Sequence, residues 1–266
     1  MKKMFIIMAI VAFAAMDAQD FVGIAVYESI TVRKDIDVNV SGKLDPATEA
    51  MLKERLKKPF EDTYVLTFDK ASSLYEQEQK LQAPHNGRVM PKSFAIGKKY
   101  KNVKEKIWLE EREIFGKEFL VSDSLIKMEW KLESESKKIG EYTCYKATYT
   151  VKSRAPETLS GQEKAVSLTS MAGKDIVITA WYAPEIPVNH GPSHYWGLPG
   201  LILSVSNNHT TILCSKLIIN PKEKVEIKAP NKGEKITQKK FAETMTRKAE
   251  EMKQMRAEPG HGRKRN

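Results

Sequence analysis

Between residues 106 and 219, short segments rich in β-branched and aromatic residues follow one another closely. This feature limits the fold more than any other. The segments lie at 106–111, 118–121, 127–132, 141–151, 175–181, 201–205 and 210–219. Most are separated by short polar turns, which join antiparallel neighbours; parallel strands would need long crossover connections. Segments at 21–33, 64–68 and 72–77 have the same character, the first with room for a register change. The expectation is a mainly β (α+β) protein: a curved antiparallel meander sheet with one or a few helices and a C-terminal helix. Trp108, Trp130 and Trp181 each fall inside one of these strands, where packing on the sheet is their ordinary role.

Two other segments read differently. Asp45 suits a helix N-cap, Pro46 suits its first turn, and Ala50, Leu52 and Leu56 recur along one side until Pro59 stops the helix. Residues 80–99 hold Pro84, Asn86, Gly87, Pro91 and Gly97 and read as a long loop. Residues 157–173 are mostly polar, with Gly161 near one end and Gly173 at the other, and read as an insertion between strands.

The N-terminus points to export. Lys2 and Lys3 precede an uncharged apolar run from Met4 to Met16, and Asp17 ends it. That is the charge-then-apolar pattern of a secretory signal peptide, too short to span a bilayer. Residues 1–18 are therefore read as removed after Ala18, with Ala14 as the fallback, and the protein as periplasmic or secreted. No run of ten apolar residues follows, so a membrane-spanning helix is not expected. In an oxidising compartment Cys144 and Cys214 fit a disulfide closing a loop of about 70 residues, worth roughly 4 kcal/mol. The alternative is two separate buried thiols.

The chain carries 44 Lys and Arg against 34 Asp and Glu. Much of the excess sits in residues 231–266, with eleven Lys and Arg against five Glu, so it argues against a nucleic-acid surface on the body. The division expected is a β-rich domain over 19–230, then a basic amphipathic helix and disordered tail over 231–266. Phe241, Met245, Met252 and Met255 recur at helical spacing there, and the helix either docks on the domain, lies on an anionic surface or meets a partner. The tail from Pro259 onward is expected to be disordered.

Residues 180–205 read AWYAPEIPVNHGPSHYWGLPGLILSV. Trp181 and Tyr182 close a strand. Pro184 and Pro187 end its ladder, because neither can donate a hydrogen bond. Gly191-Pro192 marks a turn. Pro199 and Gly200 suit the two central positions of a type II turn, the second needing a positive φ. Leu201, Leu203 and Val205 then alternate on a new strand, and Asn207-Asn208 turns it back. The whole is a structured loop with Tyr195 and Trp196 at its tip.

The string Gly197-Leu198-Pro199-Gly200-Leu201-Ile202 resembles the motif of the GLPGLI family, exported proteins of one phylum of Gram-negative bacteria. The lead-in (Ala180, Trp181, Tyr182, Ile186, Pro187, Gly191, Pro192) and the upstream Tyr142, Cys144, Lys146 and Ala147 are similar to that family as well. The resemblance spans essentially the whole exported chain. It implies compartment and domain extent, and no catalytic residue or activity.

The chemistry of single residues is sparse. His190 and His194 lie four apart, but Pro187, Gly191 and Pro192 disfavour the helix that would align them, and His209 adds no spacing signal. Met245, Met252, Met255 and His261 are soft donors for Cu(I), although a methionine stripe is ordinarily a packing face. Neither cysteine carries a local mark of activation beside His190 or His194, and Ser204 has no glycines of a nucleophile elbow. The expectation is a non-catalytic protein without metal or cofactor. Two functions fit. One is a binding protein for an apolar or peptide ligand; the other is an accessory protein of an outer-membrane transport or assembly complex. In either, the contact residues expected are Trp181, Tyr182, Pro187, Tyr195, Trp196, Gly197, Leu198, Pro199, Gly200, Leu201 and Ile202.

Overall fold

The structure, a computed structural model, describes residues 21–32, 59–78, 97–114, 116–152 and 175–257. The helix expected from Asp45, the signal peptide, the 157–173 insertion, most of the 80–99 loop and the end of the tail lie outside these residues.

The strands are β1 (Gly23–Thr31), β2 (Phe60–Phe68), β3 (Ser72–Gln77), β4 (Lys99–Asn102), β5 (Ile107–Ile114), β6 (Lys117–Ser124), β7 (Lys131–Ile139) and β8 (Tyr142–Val151). They are followed by β9 (Ile176–Ala183), β10 (Leu201–Ser206), β11 (Thr210–Ile219), β12 (Glu234–Ile236) and the helix α1 (Gln238–Ala257). All twelve strands form one sheet in the order β12-β6-β5-β4-β3-β2-β1-β11-β10-β9-β8-β7. Every pairing is antiparallel except β12 on β6. β7 and β12 are the two edges, so the sheet is open, and mainly antiparallel as the short turns require.

Alternation sets the inner face. Tyr27 on β1, Tyr64, Leu66 and Phe68 on β2, and Tyr75 on β3 line up across the register and are all buried. The expected register change in the first strand is present: β1 slips against β11 between Val26 and Tyr27. The Asn207 turn is closed by its side-chain Oδ1, which accepts from the N–H groups of His209 (2.9 Å) and Thr210 (2.8 Å).

Several expectations are corrected. Residues 125–130 are not a strand. They cross from the end of β6 to the start of β7, and Trp130 lies in that crossing. β4 starts at Lys99, the last residue of the expected loop, and continues through residues that the sequence assigned to no element. β7 was missed because it is charged and exposed along nearly all its length, as suits an edge strand. β12 falls inside the expected tail and attaches residues 234–236 to the sheet. The Cys144–Cys214 bridge is not formed; both are free thiols. Cys144 is on β8 and Cys214 on β11, with β9 and β10 between them in the sheet.

α1 docks through its first turn, where the Gln238 N–H donates to Asp123 Oδ2 at 2.9 Å. Phe241 is buried against Ile114, Phe119 and Val121, with its ring edge-on to Phe119 at 5.8 Å. The Arg112 guanidinium lies 5.3 Å from the Phe241 ring centre. Thr237 caps the helix, its Oγ1 accepting from the Lys240 N–H at 3.3 Å. Further along, Met245 is exposed, so most of the helix stands away from the sheet.

Candidate functional site

The loop of residues 184–200 leaves the end of β9 and folds into the curl of the sheet instead of projecting from it. Ile186, Val188 and His190 are buried while Pro187 and Asn189 between them are exposed, so the lead-in alternates like a strand. Ile202 donates its N–H to the His190 carbonyl (3.0 Å), Leu201 to Ile186 (3.0 Å) and Gly197 to Asn189 (2.9 Å). The loop is thereby a small hairpin laid over β10.

Side chains from across the curl fix this plug. Tyr27 donates its hydroxyl to the Ile202 carbonyl at 2.7 Å. That carbonyl is free because β10 carries a register shift between Ile202 and Ser204. Trp130 donates its indole N–H to the Trp196 carbonyl, and Trp196 donates its own to the Ile126 carbonyl, both at 2.8 Å. Lys101 on β4 is wholly buried. Its ammonium donates to the carbonyls of Gly191 (2.6 Å), Ser193 (2.9 Å) and Tyr195 (2.8 Å). Burial, and then the neighbouring Lys99, pushes the Lys101 pKa well down. Three carbonyl acceptors nevertheless need three N–H donors, which only the ammonium has. A buried charge is tolerated here because each of its protons is satisfied.

Most of the motif residues are buried. Gly197 has φ +93°. Leu198, Leu201 and Ile202 are buried, and Pro199 is exposed. Gly200 has φ +157°, far from the roughly +80° of a type II turn, so the turn is of another kind. Its glycine is required by packing: a Cβ there would collide with the Ala183 carbonyl and the Pro184 nitrogen. Tyr195 is buried and Trp196 half-buried, so neither is an exposed tip. Trp181 and Tyr182 are consecutive on β9 and face opposite ways, the first under the Lys137 ammonium at 4.1 Å and the second against Tyr145 at 6.3 Å. The expected contact residues do not form one surface.

Cys144 and His190 are buried as well. Burial pushes the thiols of Cys144 and Cys214 up to about 11, which leaves neither as a thiolate at neutral pH. Burial, and then the Lys101 charge, pushes His190 down to about 3. The Asp69 backbone acts on this ring only weakly, and neither ring nitrogen finds a hydrogen-bond partner. His194 is exposed and stacks on Tyr195 at 4.1 Å. Among the described residues no group of three or more His, Cys, Asp or Glu could hold a metal.

A groove remains where the curl opens. β1, β3, β8 and β10 all end at one end of the sheet. A cavity of about 360 Å³ lies at this end. Register places its walls in rows: Thr210, Thr31 and Phe60 face each other across β11, β1 and β2, and Ile212, Ser29 and Asp62 form the next row. Tyr64 and Tyr75 close the floor, stacked at 4.9 Å. Burial, followed by Asp62 for Tyr64 and by Tyr64 for Tyr75, raises both phenol pKa values. Lys99 and Ser193 form the far wall, the ammonium donating to Ser193 Oγ at 3.0 Å and pairing with Glu110 at 3.7 Å. Sequence reasoning missed this site entirely, since its residues come from five strands and a loop and share no local motif.

Residues 130–204 match the model of a family described as a protein of unknown function, Porph_ging. The match runs from the Trp130 crossing through the plug to the middle of β10. No curated protein matches the chain. A solved structure of PNGF-II in a C2 space group is similar, with a TM-score of 0.50 and 16% identity, over 85% of this chain and 32% of that one. A second, in a P21 space group, has a TM-score of 0.49 and 16% identity over 86% and 34%. At this identity the likeness is one of fold, and the chain spans about a third of the length of the PNGF-II chains it matches. Among the described residues no helix is long and apolar enough to cross a membrane.

Proposed function

We propose that this is an exported binding protein of GLPGLI type, non-catalytic, holding its ligand in the groove at the open end of the curled sheet. The observation that carries the reading is the groove itself, about 360 Å³ with a rigid tyrosine floor and half-exposed walls of mixed chemistry. Such a concave site with a few convergent polar groups is the ordinary form of a small-ligand site. The plug occupies the inside of the curl, which favours a ligand held at the mouth over an acyl chain held within. The buried Cys144 thiol, the half-buried Cys214 thiol and the buried imidazole of His190 stand outside the groove lining, which favours binding over covalent chemistry. The likeness to about a third of PNGF-II supports reading this β unit as one that longer proteins also carry.

The second reading, an accessory protein of an outer-membrane transport or assembly complex, is favoured by α1. It docks by Phe241 and leaves Met245 with its basic neighbours facing outward, a form suited to a protein partner. Native mass spectrometry of the protein recovered from the cells that make it separates the two. A bound mass of several hundred daltons, lost on denaturation, is the expected result. A bare polypeptide would overturn the binding reading and leave the accessory one.

A further inference from the structure

Resting on that reading, we propose that the ligand of the groove is a neutral saccharide, taken by one end at the mouth of the sheet.

The walls carry the argument. Thr31 and Thr210 place their hydroxyls 3.1 Å apart across β1 and β11, with Ser29 one row deeper and Ser193 opposite. A side-chain hydroxyl both donates and accepts, which is the pattern that sugar hydroxyls present in return. Asp62 supplies a pure acceptor. Its Oδ1 takes one bond from Gln77 (2.7 Å), and its Oδ2 is 3.5 Å from the Tyr64 hydroxyl, so the carboxylate is positioned and keeps lone pairs to offer. Phe60, 59% exposed, places a flat apolar ring in the same row as Thr31. A pyranose has one face of C–H groups that packs on such a ring while its edge bonds to hydroxyls and carboxylate.

Other ligand classes fit less well. An anion would need a free cation, but Lys99 is already paired with Glu110 and bonded to Ser193. An acyl chain would need a continuous apolar wall, and six of the ten lining residues are Ser, Thr, Asp or Lys, set among the apolar ones. A peptide bound as an added strand would need an open edge. The groove lies over β1 and β2, each paired on both sides.

The test is calorimetric titration of the full chain with four neutral probes: cello-, malto-, manno- and chito-oligosaccharides. Binding of at least one is expected. Phe60→Ala and Asp62→Asn should each weaken it about tenfold without moving the thermal transition, Phe60 because it is already exposed and Asn because it keeps an acceptor for Gln77. If no saccharide binds while native mass spectrometry finds a bound peptide or lipid, the saccharide is wrong and the groove reading stands. If nothing is bound at all, both fail. Binding that neither variant changes would place the sugar elsewhere and overturn the assignment of this groove.

Discussion

The ammonium of Lys101 lies 2.6 Å from the carbonyl oxygen of Gly191, ninety residues away in sequence, and both are buried. With the Ser193 and Tyr195 carbonyls it makes a tethered cation at the centre of the plug. Lys101→Met keeps the length and removes the donors, leaving three buried carbonyls unsatisfied. Each such group costs about 1–3 kcal/mol, so a loss of at least about 3 kcal/mol is expected in urea unfolding. In Lys101→Ala, added methylammonium should restore part of the loss, because the carbonyl cage persists. Unchanged stability in the Met variant would remove Lys101 from its role.

The two glycines of the motif should separate under substitution. Gly197→Ala meets no neighbour and suffers only from φ +93°, a loss of about 1 kcal/mol. Gly200→Ala drives a methyl into the Ala183–Pro184 backbone, which cannot turn aside as a side chain would. A larger loss, about 3 kcal/mol, is expected for it in the same unfolding measurement. Equal losses would mean that φ alone governs both positions.

His190 makes the fold acid-labile. Unfolded, its imidazole takes a proton near pH 6.5; folded, burial and then Lys101 hold that step down to about pH 3. Between these values the unfolded chain binds more protons, so the stability His190 gives is fully present above pH 6.5 and is lost as the pH falls toward 3. The slope reaches about 1.4 kcal/mol per pH unit. His194, drawn down to about 4 by desolvation and then by Lys99 and Lys101, adds a smaller share because its ring is exposed. His190→Leu should flatten the dependence between pH 6 and 4.5. An unchanged slope in that variant would assign the acid sensitivity elsewhere.

Phe241 is the single buried residue of α1 in its cluster with Ile114, Phe119 and Val121. Phe241→Ala should free the helix while leaving the large core intact. Hydrogen exchange should show α1 losing protection with β1 and β2 unchanged. Protection kept in α1 would mean that other contacts hold it.

The strands with an apolar inner row were legible in the sequence. β1, β2, β3, β8, β9, β10 and β11 are rich enough in β-branched and aromatic residues to be read locally, and β1 also alternates buried and more exposed positions. β4, β7 and β12 were not. β4 is four residues long, and its inward positions are Lys99 and Lys101, charges that local pattern assigns to solvent. β7 is an edge with nothing to bury. The 184–200 segment was recognised as ordered from its prolines and glycines. Its direction was misjudged, since an aromatic loop between strands reads equally well as a tip or a plug.

The sequence by itself determined the class of fold, the antiparallel pairing of neighbours and the order within the motif, because alternation and turn chemistry act over a few residues. Only the tertiary structure decided where the motif goes. Lys101, Tyr27 and Trp130 reach the loop from strands and a crossing far away in the chain, and they turn it inward because its carbonyls find their donors there. The same folding leaves Phe60, Asp62, Thr31 and Thr210 facing one another at the mouth. That juxtaposition depends on the order of strands in the sheet, which no local spacing encodes.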